Sequence, residues 1–210
     1  MADFDFHRWP RKPHFELFKN MAQPYFSVCV QINAKKLYDY CKRKQQSFFY
    51  SYIHATLTAC HLYEPMMLRI QDDRAIQLDK VRASVVELAP DDTFRFSCFS
   101  RYNDLSEFIT YAQHVSKTTK AAPLFNDTFE KTQQAADLIH VSVLPWLNFS
   151  SFSHAFDTSN TQGIPKFVFG KYDCHSGCMP LAIDVHHSLL DGLHVAHFIK
   201  ILQQQLDECF

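Results

Sequence analysis

Met179–Ile199 reads MPLAIDVHHSLLDGLHVAHFI, and its two halves call for different backbones. Met179–His186 has little polar content, which suits a strand buried in the middle of a sheet. Asp191–Leu206 places Leu193, Ala196, Phe198, Ile201 and Leu202 at helical spacing, the pattern of an amphipathic helix. Asp191 stands where a helix N-cap belongs, and a carboxylate there is stabilised by free backbone N–H groups. Between the halves lie His186, His187 and a short turn, Ser188-Leu189-Leu190. A histidine at a strand end projects into whatever cleft the turn borders, and its ordinary pKa suits proton transfer near neutrality. Gly192 permits close approach of backbone or ligand. Taken singly, each histidine reads as an ordinary strand-end residue and Asp191 as a plain cap. Taken together, after an apolar strand and before an amphipathic helix, they read as a catalytic constellation.

Working outward, Pro24–Ile32 alternates and reads as a strand, and Ala34–Gln46 reads as a helix with Leu37, Tyr40 and Cys41 on one face. Phe49–Leu62 is apolar around most of its surface and reads as a buried helix. Shorter signals predict a helix at His14–Asn20 and strands near Met67–Ile70, Ile76–Leu78 and Ala83–Leu88. Asn103–Ser116 reads as a helix on Leu105, Phe108 and Ile109, and Lys117–Asp127 as the loop after it. Ile139–Leu144 and Phe167–Tyr172 read as strands. Strands interspersed with helices predict an α/β (α+β) sandwich.

The chain has 210 residues, enough for one domain with a sizeable core. With four Gly and nine Pro there is no flexible linker, so residues 1–210 read as a single domain. Lys and Arg total 21 against 22 Asp and Glu, and so balanced a charge offers no global field for nucleic acid or an anionic membrane. No stretch nears the ~20 apolar residues that span a bilayer, and the N-terminal residues lack the apolar core of a secretory signal. Seven cysteines is an odd number, with Cys29, Cys41 and Cys60 in apolar segments. That pattern predicts free thiols in a reducing, cytoplasmic compartment.

HHSLLDG at His186–Gly192 matches the HHxxxDG signature of CoA-dependent acyltransferases. Val141–Phe152, VSVLPWLNFSSF, resembles the SALPWVxFxSF stretch of type A chloramphenicol acetyltransferases. RKPHFELF at Arg11–Phe18, FGKY at Phe169–Tyr172 and MPLAIDVHH at Met179–His187 resemble that family too, in the same order. The resemblance covers essentially the whole chain. It implies a two-layer sandwich with a mixed β-sheet, and transfer of acetyl from acetyl-CoA to a hydroxyl of chloramphenicol in a ternary complex, without a metal. It also implies a homotrimer with active sites between subunits.

By position, the resemblance makes His187 the general base and leaves His186 structural. Ser142 matches the serine that steadies the tetrahedral oxyanion; on its own it reads as a buried strand hydroxyl bonded to backbone. Asp191 and Arg11 match an ion pair that holds the catalytic loop, although Arg11 alone reads as a solvated residue of the basic segment Arg8–Lys12. Lys171 and Tyr172 match residues that approach CoA, the lysine as a point charge for a phosphate; by itself Lys171 is equally an exposed strand-end lysine. Phe18, Phe26, Phe94 and Phe152 align with the walls of an apolar acceptor pocket, where a nitrophenyl ring would stack. With twenty Phe in the chain, each is also an ordinary core candidate.

The departures are specific. Val168 replaces a pocket threonine whose hydroxyl holds a water near the transition state, which implies modestly weaker turnover. His154 replaces an aliphatic pocket residue and implies a changed acceptor preference. Ser47 replaces a phosphate-binding lysine, with Lys44 nearby as a substitute. Leu78-Asp79 replaces a Trp-Asp pair. Cys174, His175 and Cys178 lie close together, but no second ligand pair has zinc-like spacing, and the segment reads as a hairpin turn. No Gly-x-Ser-x-Gly elbow is present, which disfavours a covalent acyl-serine. Other readings are an acetyltransferase for another small alcohol, a non-catalytic drug binder, and a dihydrolipoamide acyltransferase core. The last normally carries lipoyl domains that this sequence does not contain.

Overall fold

The computed structural model describes residues 4–133, 135–155 and 162–208. In chain order the elements are α1 (Lys12–Phe18), β1 (Tyr25–Asn33), α2 (Lys35–Lys44), α3 (Phe48–Leu62), β2 (Leu68–Gln71), β3 (Arg74–Gln77), β4 (Arg82–Leu88), β5 (Phe94–Phe99), α4 (Leu105–Ala121), α5 (Asp127–Gln133), β6 (Leu138–Val143), β7 (Lys166–Phe169), β8 (Cys178–His186) and α6 (Gly192–Glu208). Six strands form one mixed sheet in the order β1-β8-β7-β6-β4-β5, and β2 and β3 form a separate ribbon. β6 runs parallel to β4 and to β7, while the other neighbours are antiparallel.

Register assigns each residue to a face, because direct cross-strand partners project the same way. Val28, Ile183, Phe167, Val141 and Val85 line up across five strands. They pack with Ile53, Leu57 and Cys60 of α3 and Val195, Phe198, Leu202 and Leu206 of α6. This is the core, and helices cover that face. The opposite face carries two other rows: Ser27, Asp184, Lys166, His140 and Ser84, and beside it Cys29, Ala182, Val168 and Ser142. β8 lies between β1 and β7, and Met179–His186 is buried throughout, as its sparse polar content predicts.

Several expectations shift. The apolar stripe of α6 is Val195, Phe198, Leu202 and Leu206, whereas Leu193 and Ala196 are exposed; with Asp191 before the first turn, the stripe that meets the sheet begins at Val195. α4 continues through Ala121, so the loop begins only at Ala122, and α5 was not anticipated. β5 was also missed, although Phe94, Phe96 and Cys98 alternate along it. Pro13 lies in the first turn of α1, where a missing N–H costs nothing, so that helix starts earlier than His14. β7 ends at Phe169 because Gly170 turns away to meet Leu147: a Cβ there would lie 2.8 Å from the Leu147 carbonyl oxygen.

Arg69 is fully buried and donates to the carbonyls of Met66, Leu68, Ala136 and Leu138 at 2.6–3.0 Å. Burial brings its pKa down to about 10, which leaves it charged at neutrality as a pin between β2 and the start of β6. Among the described residues no helix is long and apolar enough to cross a membrane.

Candidate active site

β8 delivers its two histidines to different surroundings. His186 pairs with Tyr25 across β1, and its ring meets the Tyr25 ring edge-on at 5.1 Å. It is 1% exposed, and its Nδ1 lies 2.7 Å from the Ser188 hydroxyl. Burial, helped by the neighbouring His187, pushes its pKa down to about 4, so it is neutral at pH 7 and structural. A stability prediction follows. Between about pH 6.5 and pH 4 the unfolded chain binds a proton at this position that the folded chain refuses, so stability falls as pH drops through that window. The largest such loss is about 3 kcal/mol. Urea midpoints at pH 7 and pH 4.5 should separate accordingly, and His186→Asn should flatten the slope.

His187 leaves the sheet. Its backbone N–H donates to Pro24 at 2.8 Å. Its ring stacks on Phe18 with centroids 3.9 Å apart and planes 6° apart, and Phe26 lies against it at 4.8 Å. The Nδ1 atom is buried without a hydrogen-bond partner among the described residues. Nε2 is therefore the nitrogen left to meet a reactant, and two aromatic rings fix the imidazole behind it.

The turn beside His187 is held by Arg11. Its Nη2 donates to the His187 carbonyl at 3.2 Å, its Nε to the Leu189 carbonyl at 3.2 Å, and its Nη1 to Asp191 Oδ2 in an ion pair. Asp191 Oδ1 caps α6 through the backbone N–H groups of Leu193 and His194, at 3.0 and 3.3 Å, and lies 2.7 Å from His194 Nδ1. Burial works to raise the Asp191 pKa, but hydrogen bonds from His194 and the charges of His194 and Arg11 outweigh it and hold it down to about 2. Neither carboxylate oxygen bonds to His187, so the pair is a clamp and not a proton relay. Arg11 also precedes α1, whose last residue is Phe18, so that helix is tied to the loop at both ends. His194 was not singled out from the sequence; its place three residues after Asp191 was the available signal.

Ser142 lies elsewhere. Its ladder partner is Val168, and Val168 pairs with Ala182 of β8. Two strand spacings and five residues along β8 put the backbone of Ser142 roughly 19 Å from that of His187, with the two side chains on different faces. Val168 is fully buried, so it forms no open wall in this chain. Phe152 is half-buried and packs edge-on against His154 at 4.8 Å. Phe94 stands on edge strand β5, 47% exposed, against Phe96, about 24 Å of sheet width from β1. Within one chain, Arg11, Phe18, Phe26, His187 and Asp191 gather at one end of the sheet, and Ser142 stands apart from them on the face opposite α3 and α6.

Lys171 and Tyr172 line a third feature, a cavity of about 560 Å³ shared with Phe48, Phe49, Tyr52 and Trp146. Gly170 brings the chain close to Leu147, whose carbonyl accepts from Lys171 N–H at 2.8 Å. Tyr172 stacks on Tyr38 at 4.5 Å. The sequence reading did not anticipate Phe48, Phe49, Tyr52 or Trp146 here. Ser47 caps α3, accepting from Tyr50 N–H at 3.4 Å. Cys174, His175 and Cys178 belong to a tight turn organised by Asp173, with Gly177 at φ 72°. Among the described residues no three His, Cys, Asp or Glu gather as a metal site.

A family model described as chloramphenicol acetyltransferase matches residues 1–203. A chloramphenicol acetyltransferase of Proteus mirabilis is 29% identical over 97% of this chain and 94% of its own. One of Escherichia coli is 28% identical over 97% and 93%. A solved chloramphenicol acetyltransferase structure superposes with a TM-score of 0.85 at 25% identity, covering 97% of this chain and 98% of that one. The cubic core of a pyruvate dehydrogenase complex superposes at 0.71 with 11% identity, over 100% of this chain and 92% of that one, a likeness of fold alone.

Proposed function

The chain belongs to the chloramphenicol acetyltransferase family, and on that premise we propose that it transfers acetyl from acetyl-CoA to a hydroxyl of chloramphenicol, with His187 as general base. The carrying observation is the imidazole of His187, stacked on Phe18 beside the Arg11–Asp191 clamp. In the neutral ring the buried Nδ1 keeps its proton, and the Nε2 lone pair takes the proton of the acceptor hydroxyl. The oxygen attacks the acetyl carbonyl carbon, and a tetrahedral oxyanion forms. As the C–S bond breaks, the CoA sulfur leaves and recovers the proton from Nε2. No residue is acylated.

Ser142 supplies the donor for the oxyanion, from a neighbouring chain. The roughly 19 Å between Ser142 and His187 within one chain supports that arrangement, since no donor acts over such a distance. A closed ring of copies brings each His187 to the next chain's Ser142, which is the homotrimer the family resemblance implies. Phe18 and Phe26 belong to the acceptor pocket on the histidine side, and Phe94 and Phe152 reach it from the neighbouring chain.

The aromatic cavity at Lys171 and Tyr172 suits the acetyl-CoA arm, with Lys171 as the point charge for a phosphate. Lys42, Arg43 and Lys44, at the end of α2 just before α3, add positive charge beyond Ser47. The six described cysteines are free, which fits a reducing cytoplasmic setting. A second reading keeps the chemistry and changes the acceptor; His154 favours it, because a polar ring stands beside Phe152. The deciding experiment follows thiol release from acetyl-CoA by the purified protein with and without chloramphenicol. Chloramphenicol-dependent release is expected. Release with another small alcohol only would move the assignment to the second reading, and release with neither would overturn both.

A further inference from the structure

The clamp beside His187 has a third member. Asp191 Oδ2 takes Arg11. Oδ1 takes the backbone N–H groups of Leu193 and His194 at 3.0 and 3.3 Å, and the His194 ring, whose Nδ1 lies 2.7 Å away. The ring contact is the shortest of these three. The carboxylate is ionised at neutral pH and only accepts, so the proton between them sits on Nδ1. The Asp191 backbone N–H approaches the same nitrogen at 3.4 Å, a longer and weaker contact. Burial works to raise the Asp191 pKa, and among the interactions that overcome it the His194 ring bond comes first, ahead of the Arg11 charge.

Arg11 spends its other nitrogens on the carbonyls of His187 and Leu189, both at 3.2 Å, the long end of the range for such bonds. Its ion pair with Oδ2 is charge-assisted and stronger. Arg11 is thus aimed by the carboxylate, and the carboxylate by His194. Without the ring, two backbone N–H groups still cap α6, but the carboxylate is free to rock about its Cβ–Cγ bond. We propose that His194 is a positioning residue for acetyl transfer: its Nδ1–H fixes the Asp191 carboxylate, which aims Arg11 at the His187 carbonyl and so holds the general base in place. This rests on the acetyltransferase reading. His194 acts through two side chains and a carbonyl, exchanges no proton with the acceptor, and does not line the cavity at Lys171 and Tyr172. Its loss therefore falls on kcat and not on KM.

The test compares His194→Asn and His194→Leu with the wild type, by thermal melts and by kcat and KM for acetyl-CoA and for chloramphenicol, or for the small alcohol that replaces it under the second reading. Asparagine keeps an N–H near the place of Nδ1 and discards the ring; leucine keeps apolar bulk and discards the donor. Both keep the backbone N–H groups that cap α6, so both should melt near the wild type. Leucine should lower kcat about 10-fold, since small misplacements of a catalytic group carry costs of that order, with both KM values within about twofold. Asparagine should keep at least half of the wild-type kcat. Should leucine unfold the chain, His194→Ala takes its place with the same expectation. A ring that matters only as packing reverses the order, with leucine active and asparagine impaired, and that result overturns the proposal. Equal losses in both variants, no loss in either, or a loss confined to KM overturn it as well. Absence of any acceptor-dependent thiol release by the wild type overturns the acetyltransferase reading instead, and this proposal with it.

Discussion

Acetyl transfer by His187→Ala is expected to fall roughly 10³- to 10⁴-fold in kcat, the upper range for a positioned general base, with KM for acetyl-CoA little changed. The asymmetry follows from where the ring sits. It contacts Phe18 and Phe26, whereas Lys171 and Tyr172 line a separate cavity with aromatic side chains of α3. An interaction made only while the proton moves is lost from kcat and from kcat/KM together. The fold should survive. The turn is held through the backbone, by Arg11 on the carbonyls of His187 and Leu189 and by His187 N–H on Pro24, and alanine keeps each of those bonds. Stopped-flow thiol release beside a thermal melt separates the two effects. A variant that stays folded and keeps more than a tenth of wild-type turnover would remove His187 from its role.

The fold was legible wherever pattern and burial agree. Met179–His186 is apolar because strands flank it on both sides, and the sequence shows that directly. β5 and α5 were not anticipated, since β5 is an edge strand with a half-exposed composition and α5 is short and polar. The site was legible in part, for a related reason. His187, Asp191 and Gly192 are neighbours in sequence, so spacing exposes them. Arg11 is 180 residues from Asp191, and alone it is one more basic residue near the start of the chain. Only resemblance could pair the two, and the geometry then shows what the pair does: it fixes carbonyls and a helix cap without touching the imidazole. The contact of His154 Nδ1 with Asp184 Oδ2, at 2.6 Å, was half-visible. His154 stood out as a polar residue in a stretch expected to be apolar, but Asp184 is submerged in an apolar strand, and nothing in the spacing joins positions 154 and 184.

The separation of His187 from Ser142 leads to the second large effect. On the proposed reading each substitution alone should cripple the assembly; Ser142→Ala removes the proposed oxyanion donor, for which about 10²- to 10³-fold is usual. In a mixture, sites built across the interface can be rebuilt. A trimer with two copies of one variant and one of the other has three junctions around its ring, and one of them joins an intact His187 to an intact Ser142. Random assortment of equal amounts makes about three trimers in four mixed, so about a quarter of wild-type activity should return. Sites closed within a single chain would recover nothing, because every chain in the mixture lacks one of the two groups. Unfolding the two variants together, refolding them, and comparing the activity with that of each variant refolded alone reads the difference. Recovery near a quarter requires a site shared by neighbours but not a ring of three, because a dimer with two shared sites, in which only half the molecules are mixed and one junction in two is intact, also returns about a quarter. Light scattering on the same sample therefore supplies the subunit number, and the activity supplies the sharing. A mixture no more active than its better component would place the oxyanion donor within the same chain as His187, and Ser142, on the far face of the sheet, would then be the wrong residue.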